Sequence, residues 1–307
     1  MIDLGVTLGE LELRNPITLA SGTAGYGTEI AEWYDLRRLG GFFSKAVTVE
    51  PRVGNAQPRI YELPTGMLNS IGLANPGVSR FIEEQLPLWT DLDTRLFVNV
   101  AGSTADDYVE CCEQLAAAPR LDGVEINVSC PNVKQGGIGF SADLNELASL
   151  LKRCRATTDR MMIVKLSPQV TDVAEVARVC AANGADALSL INTIPGMSID
   201  IESRRPRLST VTGGYSGPGI KPVALAQVFR VASAVELPVI GIGGISCAED
   251  IIEFMLAGAS VVQIGTYNFV DPVAGERLVV ELEQLCEQLG VDQLQSIVGT
   301  VDLSASR

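Results

Sequence analysis

Apolar residues along this 307-residue chain gather in short, nearly continuous runs rather than in strict alternation with polar ones. The runs are ITLAS at 17–21, FFSKAVT at 42–48, RLFVNVAG at 95–102, GVEINVSC at 123–130, MMIVKLSP at 161–168, ALSLINT at 187–193, PVIGIGGI at 238–245 and SVVQIGTY at 260–267. Strands buried on both faces carry such runs, and helical patterns separate them, which predicts parallel strands covered by helices. Eight units predict an α/β fold closed into a (β/α)8 TIM barrel, which typically takes about 250 residues plus insertions. We read residues 1–307 as one such domain. The start, VTLGELELRNP, predicts an N-terminal hairpin at the bottom of the barrel.

Two helical segments illustrate the pattern. TADDYVECCEQLAAA opens on Thr104 as N-cap with acidic residues in its first turn. SADLNELASLLKRC has Ser141 as its expected cap and Leu144, Leu147 and Leu151 on one face. Two connections, residues 49–75 after the second strand and 194–220 after the sixth, are too long for simple turns. Excess loop length in a compact domain is more often functional than idle.

A barrel carries its active site at the carboxyl ends of its strands, so the residues that end each run are the informative ones. In chain order they are Ser21, Lys45, Asn99, Asn127 with Cys130, Lys165 with Ser167, Asn192 with Thr193, Gly243 with Gly244, and Gly265 with Thr266. Of the five lysines, Lys45, Lys134, Lys165 and Lys221 fall on segments assigned to this face, and only Lys152 does not. A lysine inside MMIVKLSP is costly to bury without an anion, so Lys45 and Lys165 together favour a shared anionic ligand over separate structural ion pairs. Glycines after the last two strands favour phosphate, because backbone N–H groups there approach oxygens closely. Amides at Asn69, Asn99, Asn127, Asn132 and Asn192 suit a ligand with alternating N–H and C=O groups, with turn chemistry the alternative for Asn132.

Charge and composition narrow the partners. The net charge of −14 repels nucleic acid and anionic membrane surfaces. Neither a secretory leader pattern nor a ~20-residue apolar span is found, so a cytoplasmic location is expected. The seven cysteines include no C-x-x-C pair, which argues against a disulfide framework, an iron–sulfur site or a metal site. Cys111, Cys112, Cys154, Cys180 and Cys286 lie in helix-like stretches as packing residues. Cys130, at the end of a strand and before PNVKQGG, stands apart in a chain with no histidine.

Taken together, NVSCPNVKQGG, MLNSIGLANPG at 67–77, VKLSP at 164–168, INT at 191–193, GGYSGPGIKP at 213–222, GIGGI and IGTYNF resemble the class 1 dihydroorotate dehydrogenase family nearly end to end. The closing stretch TYNFVDPVAGERLVVELEQLCEQLG looks most like class 1B, the NAD-linked form. The resemblance implies one FMN per chain, its phosphate meeting Gly243, Gly244, Gly265 and Thr266 with Gly217 nearby. Ser21, Lys45, Ala46, Asn99, Asn127, Lys165 and Ile191 would surround the ring and ribityl chain. It further implies that dihydroorotate or orotate is held by Lys45, Asn69, Ser70, Ile71, Gly72, Leu73, Asn127, Asn192 and Thr193, with Cys130 as the catalytic base.

A cysteine, with a reference pKa of ~8.5, can serve as base without histidine if its loop holds it close. PNVKQGGIG would then be a mobile lid. Class 1B further implies a partner subunit carrying FAD and a [2Fe–2S] cluster, in a heterotetramer of two catalytic and two electron-transfer subunits around a homodimer core. The alternatives are a class 1A fumarate-linked homodimer, another flavin barrel acting on dihydropyrimidines or dihydrouridine, and a flavin-binding subunit without turnover. Ala74, Tyr215 and Tyr267 depart from the family pattern.

Overall fold

The computed structural model describes residues 2–129 and 143–304. An antiparallel hairpin, β1 (Val6–Leu8) and β2 (Leu11–Leu13), comes first, with Val6, Leu8 and Leu13 buried. The barrel strands are β3 (Ile17–Leu19), β4 (Gly41–Phe43), β7 (Arg95–Val100), β8 (Gly123–Asn127), β9 (Met161–Lys165), β10 (Ala187–Leu190), β15 (Val239–Ile242) and β16 (Ala259–Ile264). They pair in parallel in chain order, and β16 pairs back onto β3, so the ring closes. All eight predicted runs thus become the eight staves of the barrel. Their bodies are buried on both faces, which is why they read as continuous apolar stretches.

Among the described residues, six helices of nine or more residues cover the strands: α3 (Ala105–Ala116), α4 (Leu144–Arg155), α5 (Val173–Ala182), α6 (Lys221–Ala232), α7 (Ala248–Leu256) and α8 (Ala274–Leu289). Short helical turns α1 (Thr28–Ala31) and α2 (Val78–Arg80) stand in the loops after β3 and before β7. Thr104 caps α3 in a reciprocal box with Asp107, as its sequence predicts. Helix α4 begins later than expected. Asp143, not Ser141, is its N-cap and accepts hydrogen bonds from Asn145 N and Glu146 N, while Ser141 lies outside the described residues. Cys111, Cys112, Cys154, Cys180 and Cys286 are buried on helix faces, consistent with packing roles.

The hairpin lies under the amino-terminal end of the barrel, where Arg95 Nε at the start of β7 donates to the Glu12 carbonyl at 2.9 Å. At the other end the two long connections meet. The first forms β5 (Ile60–Leu63) and β6 (Gly66–Asn69); the second forms β11 (Ile194–Gly196), the small pair β12 (Ile199–Asp200) and β13 (Arg205–Pro206), and β14 (Gly213–Ser216). Strand β6 pairs with β14, giving one antiparallel sheet in the order β11-β14-β6-β5. Excursions from opposite sides of the ring are therefore joined above the mouth.

Candidate active site

The local backbone explains how the first site residues are presented. Ser44 N donates to Phe97 O and Val47 N to Asn99 O, so the chain after β4 contains one residue more than the strand it pairs with. Lys45 and Ala46 occupy this bulge, a device that re-aims side chains at barrel rims. Lys45 is half-buried and its backbone N–H donates to Gly25 O, which draws it toward the loop after β3 that carries Ser21. Burial lowers its pKa; Glu29 opposes the shift and Arg59 adds to it.

Three amides form a directed chain across the mouth. Asn99 Oδ1 accepts from Asn127 Nδ2 at 3.4 Å, and Asn127 Oδ1 accepts from Asn192 Nδ2 at 3.4 Å. Asn192 Oδ1 in turn accepts from Thr193 N at 2.8 Å. The end of β8 is tied to α3 by Tyr108 OH, which donates to Asn127 O at 2.7 Å. Lys165 is buried beside Asn127 in the register of β8 and β9, and among the described residues its ammonium has no carboxylate within 4.0 Å. Ile191 is buried next in line, its N–H donating to Ile242 O.

The glycine loops converge on one side. Gly244 has φ +80°, and a Cβ there would stand 2.8 Å from Lys221 Cβ and 3.0 Å from Gly217 O. Gly217, at φ +108°, packs so closely that a Cβ would meet Gly66 Cα at 2.6 Å. Thr266 Oγ1 donates to Ser216 Oγ at 2.7 Å, which brings Gly265 and Thr266 to the same place, while Gly243 precedes Gly244 after β15. A Cβ on Gly265 would meet only Ala20, at 3.6 Å, so Ser21 adjoins this cluster through the loop after β3.

The joined sheet supplies the other wall. Asn69 pairs with Gly214 and its Nδ2 donates to Gly214 O at 3.3 Å; Thr193 packs against Gly214, whose Cβ would collide with the Thr193 hydroxyl. Ser70 Oγ accepts from Asn55 Nδ2 at 2.8 Å, and Asn55 N donates to Ile71 O. Gly72 packs on Asn55, and Leu73 holds φ +56°, a left-handed conformation costly for a branched side chain. Arg59 clamps this run: its guanidinium donates to Val53 O and Asn55 O, and its carbonyl accepts from Ser70 N.

Not every residue assigned to this face is free to meet a ligand. Lys221 Nζ is bound by Asp250 at 2.6 Å and Glu253 at 2.9 Å. Burial pulls its pKa down, but these two carboxylates more than offset that and raise it. Its role is structural, holding α6 to α7. Tyr215 reaches Thr65, with the two hydroxyls 2.7 Å apart, and so ties β14 to the β5–β6 turn; Tyr267 lies under the Arg277 guanidinium. Ala74 packs in the loop beside Gly54. Cys130, Asn132, Lys134 and the expected lid lie outside the described residues. No described helix is long and apolar enough to cross a membrane.

Sequence reasoning missed Glu125, Ser189 and Gln263, each a polar residue flanked by apolar ones inside a strand and each fully buried below the amides. The signal was present in GVEIN, ALSL and VVQI, where Glu125, Ser189 and Gln263 stand between apolar neighbours in the middle of a stave.

The closed ring of eight parallel strands with helices between them defines a TIM barrel, a fold whose loops after the last two strands frequently bind phosphate. Comparison with known proteins narrows the class. The sequence model of dihydroorotate dehydrogenase matches residues 3–286, and the chain belongs to that family. It is 48% identical to the dihydroorotate dehydrogenase B (NAD(+)) catalytic subunit of Parabacteroides distasonis, over 99% of each chain. It is 50% identical to the protein of the same description from Trichlorobacter lovleyi, over 97% of this chain and 98% of the relative. Among solved structures, the Eimeria tenella enzyme crystallised with ferulenol superposes with a TM-score of 0.81 at 23% identity, over 97% of this chain and 88% of that one. That likeness establishes the fold.

Proposed function

We propose that the chain oxidises (S)-dihydroorotate to orotate in de novo pyrimidine (UMP) synthesis, as the catalytic subunit of an NAD-linked dihydroorotate dehydrogenase. Nearly full-length relatives at 48% and 50% identity that bear this description support the reading. The observation that carries it in the molecule is Lys165, a buried ammonium with no carboxylate within 4.0 Å among the described residues, set beside a chain of three amides at the mouth. Such a cation calls for an anionic ligand.

The residues present fit FMN. A phosphate needs backbone N–H groups that side chains would crowd out, and Gly243, Gly244, Gly265 and Thr266, with Gly217 alongside, provide them. Ser21, Lys45, Ala46, Asn99, Asn127, Lys165 and Ile191 would hold the rest of the cofactor. When bound, FMN supplies the hydride acceptor. Lys45 offers positive charge to the substrate carboxylate, and Asn69, Ser70, Ile71, Gly72, Leu73, Asn127, Asn192 and Thr193 complete the substrate cradle, the amides matching its alternating N–H and C=O groups. Cys130 removes the proton from the ring carbon beside the carbonyl.

Electrons pass to NAD through a partner subunit carrying FAD and a [2Fe–2S] cluster, in a heterotetramer built on a homodimer of this chain in the cytoplasm. Copurification with an iron–sulfur flavoprotein supports that arrangement, and fumarate-linked turnover by the isolated chain overturns it. The central test is anaerobic mixing with dihydroorotate while flavin absorbance is followed. Cys130→Ala is expected to slow flavin reduction at least ~100-fold, the usual contribution of a general base, with orotate binding retained. Equal rates in the two proteins defeat the assignment.

A further inference from the structure

Directly beneath the amide chain the barrel holds a carboxylate that the reaction as proposed does not use. Glu125 on β8 is fully buried. Its Oε2 accepts from Asn99 Nδ2 on β7 at 2.5 Å; its Oε1 accepts from Ser189 Oγ on β10 at 2.7 Å and from Gln263 Nε2 on β16 at 3.1 Å. Asn99 and Gln263 are turned with their N–H groups toward it, and Ser189 donates as well, so both of its oxygens accept. Among the described residues no cation lies within 4.0 Å of it.

Three neutral donors make the buried charge tolerable, but they do not cancel it. Glu125 precedes Asn127 by two residues on the same strand, so it lies one layer, about 7 Å, below the level where Asn127 pairs with Lys165. The layer between is protein interior, where counterions do not screen.

We propose that Glu125 is a fixed negative charge under the floor of the site that opposes Lys165: it weakens anion binding at the mouth and lowers the reduction potential of the flavin bound there. The inference rests on the FMN reading above. Negative charge added over the floor, whether as an electron pair or as a carboxylate-bearing ligand, meets repulsion from below. For a subunit that must hand electrons to NAD, a lower potential is the useful direction. It also keeps an anionic product from being held too tightly by Lys45 and Lys165. Glu125 touches no reacting atom in this scheme and acts through its field.

Glu125→Gln tests this with the hydrogen bonds kept. The new carbonyl accepts from Asn99, while Ser189 Oγ and a turned Gln263 amide accept from the new NH2. In FMN-loaded protein the midpoint potential, measured by anaerobic titration against a reference dye, is expected to rise. Orotate is expected to bind about tenfold more tightly, the size of a unit charge at ~10 Å in an effective dielectric of ~20. Glu125→Asp, which keeps the charge but shortens its reach to Asn99 and Ser189, should stay near wild type in both readouts.

A purely structural Glu125 gives the opposite pattern, with Glu125→Asp perturbed and Glu125→Gln unchanged or weaker for orotate, and that result overturns the proposal. Should Glu125→Gln melt below the assay temperature, Glu125→Met carries the same expectation. Calorimetric titration of orotate reads the sign with or without flavin. A wild type that takes up no FMN defeats the functional reading, whereas one that takes it up and is indifferent to Glu125→Gln defeats this inference.

Discussion

The two ends of the barrel use polar residues in opposite ways. At the amino-terminal end two aspartates are fully engaged. Asp122, just before β8, binds Arg95 and Arg120 at 3.1 Å each and accepts from Leu96 N at 2.8 Å. Asp186, just before β10, repeats the device with Arg155 at 2.8 Å and Met162 N at 2.7 Å. At the carboxyl-terminal end Lys165 is buried with no carboxylate in reach among the described residues, and Asn127 and Asn192 each spend one hydrogen of their NH2 groups on a neighbouring amide. One end is saturated and holds the staves together. The other keeps hydrogen-bonding and charge capacity in hand, the pattern on which the proposed ligand site rests.

Removing groups from each end should therefore hurt different properties. Asp122→Ala is expected to have the largest effect, a loss of about 3 kcal/mol in unfolding free energy, because it takes the shared carboxylate from Arg95 and Arg120 and the acceptor from the Leu96 N–H. Turnover per folded molecule should be unchanged, and a chemical-denaturation curve read beside specific activity checks both. At the mouth, Lys165→Met should do the reverse. Orotate affinity falls about tenfold while the melting temperature stays level or rises, since a buried ammonium with no carboxylate within 4.0 Å among the described residues is replaced by an apolar chain. A large drop in melting temperature would erase the contrast between the ends.

The smallest effect concerns pH. Burial depresses the Lys45 pKa below the ordinary 10.5. Between the depressed folded value and the unfolded one the unfolded chain binds more protons, so this residue's contribution to stability rises with pH across that window. Anion binding restores the charge, and orotate affinity should decline a few-fold as pH climbs through the same window. A titration at several alkaline pH values should show the decline in wild type and a flat limb in Lys45→Arg.

The staves were legible because burial on both faces leaves unbroken apolar runs, and the hairpin because its short alternation is local. The sheet over the mouth was not. IYEL, GMLN and GGYS are half-exposed, and their pairing joins segments about 150 residues apart, which no local pattern encodes. Lys221 looked like a ligand-facing cation because its partners Asp250 and Glu253 lie on the next helix along the chain. Glu125 went unnoticed for the opposite reason: a run that is apolar on average hides one acid, and only the closed ring shows that Asn99, Ser189 and Gln263 converge on it. The residues at the strand ends were readable because a barrel fixes which end of each strand opens on the mouth. What they share with one another was not.

The sheet formed by the two long excursions carries a lesson for redesign. Because Asn69 and Gly214 are rungs of one ladder, and Thr193 leans on Gly214, neither excursion is an independent module. A chimera that imports only one of them from a cousin with altered substrate preference inherits half a ladder and a misplaced Asn69. Transplanting both as a unit, onto positions four staves apart, is the smallest exchange that preserves the roof.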